Sequence, residues 1–267
     1  KPIYGIISEQ AQTLASKRPL VPAVNVRAVL VEMLSVSRPN STPEYRHLRP
    51  TTLGERRYGR YAVETEKNIR ALLYKCMREP QYANVLEADG PVTLYLPHFS
   101  AELDLLQNSW VRELQQKTEL YALDVRGLGE SVPDEEEDFW APYGMDYMMH
   151  GHGILLAESY LGRRVYDVLV TVDLLRRLGA ESINLVGRGQ GAIHAMLAAA
   201  LDDSIATVTL NEYPASWQEW ADAPIVSWPS ACFPRGVLCK LDVEDILRAL
   251  GDRAITQTPC GPDIRGL

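Results

Sequence analysis

Residues 183 to 201, "INLVGRGQGAIHAMLAAAL", constrain the fold more than any other stretch of the chain. A short apolar run ends in Gly187-Arg188-Gly189-Gln190-Gly191 and passes directly into an alanine-rich segment. An apolar run of this length predicts a strand buried on both faces, and the segment after it predicts a helix with small side chains on every side. Three glycines in five positions allow the chain to reverse sharply and let the helix lie close against the strand. A strand, a tight turn and a helix in that order are one half of a β-α-β unit, so the chain should build a parallel sheet covered by helices.

The rest of the sequence repeats that rhythm. Residues 1 to 55 read as a helical lead-in and linker, with the amphipathic patch "VRAVLVEML" followed by the loop-like "SRPNSTPEYRHLRPTT"; an α/β domain then covers residues 56 to 267. "RYAVET" and "IRALLYKCM" predict an antiparallel pair of strands, and residues 92 to 96 a short buried strand ending in a loop. Leu103, Leu106, Trp110 and Leu114 recur at helical spacing, "ELYALD" reads as a strand, and Val165, Val168, Leu169, Val172 and Leu175 mark the next helix. After the glycine turn come the strand "IATVTL", a helix carrying Val243, Ile246, Leu247 and Leu250 behind an Asp242 N-cap, and a last strand "AITQT". The expected fold class is α/β: a mostly parallel sheet with helices on both faces. No internal repeat is found. The acidic run 134 to 138 reads as a solvated loop, and the aromatic and Met-rich stretch after it as a cover for the carboxyl edge of the sheet.

Composition narrows the function. A formal net charge of -8 and the lack of a basic stripe exclude a general affinity for nucleic acid or anionic lipid, and no run of about 18 apolar residues predicts a membrane span. Cys76, Cys232, Cys239 and Cys260 form no CxxC pair and read as small buried hydrophobes, with one disulfide among the last three left open. His150 and His152, one residue apart, are a poor metal pair without an added carboxylate, so no metal and no cofactor are expected. The chain opens on "KPIYGII", which suggests a processed product or a piece of something larger.

The turn at 187 to 191 admits two chemical readings. In the G-x-S-x-G elbow, a serine is lifted above the sheet on a strained turn; here Gly187 and Gly191 hold the flanking places and Gly189 the serine's. Gly187, Gly189 and Ala192 also fit the G-x-G-x-x-G/A dinucleotide fingerprint, with Glu212 about 25 positions on as the ribose acid. That fingerprint belongs to a first β-α-β unit, whereas several strands precede this one.

"LYLPHFSAELD" and "LYALDVRGLGES", at their spacing ahead of the elbow, resemble the α/β-hydrolase superfamily and more closely the acetyl xylan esterase-type carbohydrate esterases. "YLGRRVYDVLVTVDLLRRLGAESINLVGRGQGA" and "PRGVLCKLDVEDILRALGDRAITQTPCGPD" extend the resemblance over residues 58 to 263. It implies an α/β-hydrolase-like sheet that stops before its last strand. It places Gly189 at the nucleophile position, the Gln190 backbone N–H in an oxyanion hole and a second donor in Pro97-His98-Phe99. Arg126 and the glycines of "DVRGLGES" would shape the pocket floor, and Asp263 would be the nearest acid. The catalytic histidine of that family follows an eighth strand, whereas all five histidines here lie upstream of residue 195. Ser100 or Ser131 with His98, His150 or His152 is a weaker substitute pair, and His194 reads as a packing residue.

The function this implies is a catalytically degenerate hydrolase domain, non-catalytic or glycan-binding, within a larger carbohydrate esterase. It would take a glycan or small ester as ligand and have another domain or chain over its open sheet edge. A periplasmic or extracellular location follows from the resemblance alone. The alternatives are an active carbohydrate esterase whose triad is completed outside this chain, or whose serine was removed to trap substrate, and a dinucleotide-binding domain.

Overall fold

The computed structural model describes residues 2–37, 42–77, 85–132 and 145–265 of the 267; the acidic run 134 to 138 lies outside them. Two helices, α1 (Ile3–Lys17) and α2 (Ala23–Leu34), precede the strands β1 (Tyr45–Leu53), β2 (Arg56–Glu66), β3 (Ile69–Met77) and β4 (Gly90–Leu96). The chain continues through α3 (Ala101–Gln107), α4 (Ser109–Lys117), β5 (Glu119–Asp124), α5 (Met145–Leu155), α6 (Tyr160–Arg177), β6 (Ala180–Arg188) and α7 (Gln190–Leu201). It ends with β7 (Thr207–Asn211), β8 (Tyr213–Pro214), α8 (Trp217–Asp222), α9 (Val243–Leu250), β9 (Ala254–Thr256) and β10 (Pro259–Cys260).

Eight strands form one sheet in the order β1-β2-β3-β5-β4-β6-β7-β9, and β8 pairs with β10 in a small parallel ribbon. β1, β2, β3 and β5 pair antiparallel in turn; β5, β4, β6, β7 and β9 run parallel. The five parallel strands therefore deliver the loops after Leu96, Asp124, Arg188, Asn211 and Thr256 to one edge, where open α/β sheets bind ligands.

Strand alternation sorts the core into two layers. Leu94, Leu96, Tyr121, Leu123, Ile183 and Leu185 face the larger core with α2, α6, α7 and α9. Tyr95, Leu120, Ala122 and Val186 face a smaller core with residues of α3 and α4. Every residue of α7 is buried, which is why its surface is alanine-rich: only small side chains let a helix be enclosed on all sides at this spacing.

Three sequence expectations change. Residues 45 to 53 form an edge strand in register with β2 (Tyr45 opposite Val63, Leu53 opposite Arg56), where the loop-like composition predicts a linker. Its charged side chains and Pro50 suit an edge and hide the period-two pattern. The single helix read across Leu103 to Leu114 is two, because the Asn108 side chain caps a new start by accepting from the Trp110 and Val111 amides. Cys239 is exposed, and all four cysteines are free. The Asp242 N-cap holds, forming a reciprocal capping box with Asp245. No helix among the described residues is long and apolar enough to cross a membrane.

Candidate functional site at the turn between β6 and α7

Gly189 sits at φ 57°, ψ -125°, a region that residues with a Cβ rarely enter. Its N–H donates to Asn211 O (3.1 Å), and its carbonyl accepts from Ala192 N–H (3.0 Å), so the turn is pinned to the end of β7. The glycine is needed twice over. A Cβ at 189 would land on His98 Nδ1 and lie 2.7 Å from His98 Cγ. At Gly191 a Cβ would strike Leu96 O, so the loop after β4 and the first turn of α7 are in backbone contact.

His98 fills the space above the turn. It is 1% exposed, and its Nδ1 accepts the Gln190 backbone N–H at 3.1 Å. The ring packs on Phe99 (centroids 3.9 Å apart) and meets Trp228 edge-on at 6.2 Å. Burial, with a smaller contribution from the Arg188 charge, pushes its pKa down to about 4. At neutral pH the ring is uncharged, and the hydrogen bond at Nδ1 assigns the proton to Nε2. Nε2 is buried and has no protein partner. The imidazole thus occupies the place of a side chain at 189 and takes the Gln190 amide.

Gln190 is fully buried, and its Oε1 accepts from Arg164 Nη1 at 3.3 Å. Arg164, also fully buried, donates to Arg126 O (3.0 Å), Gly127 O (3.0 Å) and both carboxylate oxygens of Asp146, one at 3.2 Å. Burial works to lower the Arg164 pKa, and the charge and hydrogen bonds of Asp146 together with Tyr160 and Cys232 more than offset it. This guanidinium therefore ties the β5 loop, α5 and the α7 turn together. Arg126 points elsewhere: it grips Asp167 on α6 (2.9 and 2.5 Å) and Glu66 on β2 (2.5 Å), which rivets the β5 loop to the sheet. Asp124, at the end of β5, accepts the Ala101 amide at 2.7 Å and the Glu130 amide at 3.3 Å. Burial raises its pKa to about 7, against the pull of those amides.

Arg188 ends β6 on the other face, donating to Asp104 (3.2 Å) and pairing with Glu212 (2.6 Å), while the Tyr95 hydroxyl donates to Asp104 at 2.6 Å. These contacts do not favour the dinucleotide reading. Glu212 is held by Arg188. The first turn of α7 is buried, with its Gln190 amide on His98, which leaves that amide no free donor for a pyrophosphate.

The structure brings Gly189, Gln190, His98 and Phe99 together, with Pro97 buried beside them and Phe99 exposed. Arg126 reaches the turn only through Arg164. Asp263 is on the surface, bound by Arg265 (2.5 and 2.8 Å) and the Ser227 hydroxyl (3.0 Å), which hold its carboxyl well below the usual range. Its loop touches the site indirectly, since Gly261 O accepts from Trp228 Nε1 at 2.8 Å. Ser100 caps α3 and Ser131 points at Asp124 O, so neither pairs with a histidine. His150 is half-buried, its pKa lowered by burial against the pull of Asp146. His194 is fully buried with neither ring nitrogen bonded, and burial holds it neutral. No group of three metal-ligating side chains occurs among the described residues. Sequence reading missed Arg164, Asp146, Asp167 and Trp228. The signal for Arg164 and Asp167 was two charges on the apolar face of α6, where 12 of 18 residues are buried.

No model of a known protein family matches the chain, and no curated protein matches its sequence. Among solved structures, a protein from Bacteroides fragilis provisionally assigned as an acetyl xylan esterase superposes with a TM-score of 0.71 at 14% identity, over 97% of this chain and 75% of that one. Acetyl xylan esterases from Paenibacillus sp. R4 (TM-score 0.47, 18% identity, 76% of this chain) and Thermoanaerobacterium sp. JW/SL YS485 (0.44, 13%, 76%) also match. This chain spans 65% and 63% of those two, less than two thirds of their length. At 14% identity the likeness establishes architecture alone: the chain has an α/β-hydrolase-like fold similar to that of the Bacteroides fragilis protein.

Proposed function

We propose that this protein is a catalytically degenerate unit of the acetyl xylan esterase type, which holds a glycan or small ester without hydrolysing it. The observation that carries this reading is the pairing at the turn. Gly189 offers no nucleophile, and His98 both fills the space of a side chain there and takes the Gln190 amide that would serve as oxyanion donor. Loss of a nucleophile removes most of the rate of an acyl-transfer enzyme, and loss of one oxyanion donor removes roughly a further 10²–10³. Asp263, engaged with Arg265 and Ser227, has no histidine to orient. The exposed Phe99 beside the closed turn is the contact we assign to the ligand. β9 pairs only with β7 among the described residues and leaves Ile255 half-exposed, so a partner domain or chain is assigned to that edge.

Gly189→Ser, alone and combined with His98→Ala, tests the reading on 4-nitrophenyl acetate. Neither variant should turn over faster than the parent chain. Strong new turnover in either would mean that the remaining machinery is intact and that the degenerate reading is wrong.

A further inference from the structure

A wide apolar cleft lies away from the turn. A cleft of about 740 Å³ runs between α1 on one side and α8 with residues 233–239 on the other, lined by Tyr4, Ile7, Trp217, Trp220, Phe233 and Val237 among others. That volume is in the range of small-molecule sites, which are concave and mostly apolar. None of its lining residues carries a formal charge. Its α1 wall is only lightly anchored: of the 15 residues in that helix Ala11 alone is buried, while Ile3 is 77% and Ile7 48% exposed. What holds α1 in place is polar and at the rim, with the Ser8 hydroxyl and the Gln12 amide donating to Asp222 at 2.6 and 3.3 Å.

We infer that this cleft is a binding site for a neutral, largely apolar small molecule, with α1 as an adjustable wall latched to Asp222. This stands independently of the function proposed for the turn. A charged ligand would be desolvated there without a counter-charge, which is costly, so neutrality follows from the lining. Aromatic walls on both sides favour a flat or acyl body between them. The cleft also communicates with the turn through rings: Trp220 packs against Phe233 (4.9 Å) and stacks on Trp228 (4.8 Å, 29°), and Trp228 meets His98 at 6.2 Å.

Titration with the neutral probe N-phenyl-1-naphthylamine tests the assignment, read by probe fluorescence and by quenching of the protein's tryptophans. The expected result is saturable binding of one probe per chain. Binding should weaken by roughly tenfold or more in Ile7→Asp, which puts a charge on the wall, and in Ala221→Trp, which fills the cleft. Both positions are partly exposed, so both variants should keep the parent's circular dichroism. Leu155→Asp, at an exposed position on α5, should leave binding unchanged. Non-saturable binding, or equal binding in the parent and both cleft variants, would overturn the inference. So would sedimentation showing that a second copy of the chain occupies the cleft and excludes the probe.

Discussion

The turn after β6 and the cleft beside α1 are opposites in construction. The turn is buried and cross-linked: Gly189, Gln190, His98, Arg164 and Asp146 form one connected set, and a Cβ at 189 or 191 would clash. The cleft is open, apolar and closed on one side by a helix with a single buried residue. The difference separates shape from use. The glycine turn that the sequence singles out is packed closed by His98, and the open cleft lies where the sequence carried no motif.

Breaking the turn should therefore cost far more stability than altering the cleft wall. Arg164→Met leaves Asp146 without its buried partner and frees the Arg126 and Gly127 carbonyls; it should destabilise the fold by about 3–5 kcal/mol, measured by urea denaturation. Ile7→Asp, on a half-exposed position, should change stability by less than about 0.5 kcal/mol in the same measurement. Comparable losses from the two would erase the contrast.

Between these extremes, pH sharpens it. Asp124 has a folded pKa raised to about 7, so the group is most favourable to the fold when protonated, and its contribution falls as pH rises from about 4 to 7. His98, lowered to about 4, has the opposite sign: its contribution falls as pH drops from about 6.5 toward 4, because the unfolded chain takes up the proton first. His194, also lowered by burial, acts in the same direction as His98. In the parent chain these slopes oppose each other. Asp124→Asn should make stability fall more steeply on acidification from pH 7 to 4, and His98→Leu should make it fall less, as read from denaturation midpoints across that range.

The sequence made the sheet legible where strands are buried on both faces, as in 183 to 187, and where caps are explicit, as at Asp242. It failed at β1, since an edge strand with charges and a proline needs no alternation. The break at Asn108 was hidden because Leu103 and Leu106, which sustained the helical spacing, are exposed in α3. At the site, the glycine turn was readable because it is local. The role of His98 was not, because the contact with Gln190 spans 92 positions and exists only when β4 and β6 lie side by side. Arg126 illustrates the same limit: it lies in the right loop, but its partners on α6 and β2 turn it away from the site.

The hydrogen bond from the Gln190 amide to His98 Nδ1 tests the closed turn most directly. Nuclear magnetic resonance of the nitrogen-labelled protein reads it as a coupling through the hydrogen bond and as the titration of the His98 ring. A closed turn predicts that coupling at neutral pH, with His98 staying neutral until about pH 4. A ring that titrates near its ordinary value of about 6.5, with no coupling to Gln190, would mean that the amide is free and the turn open.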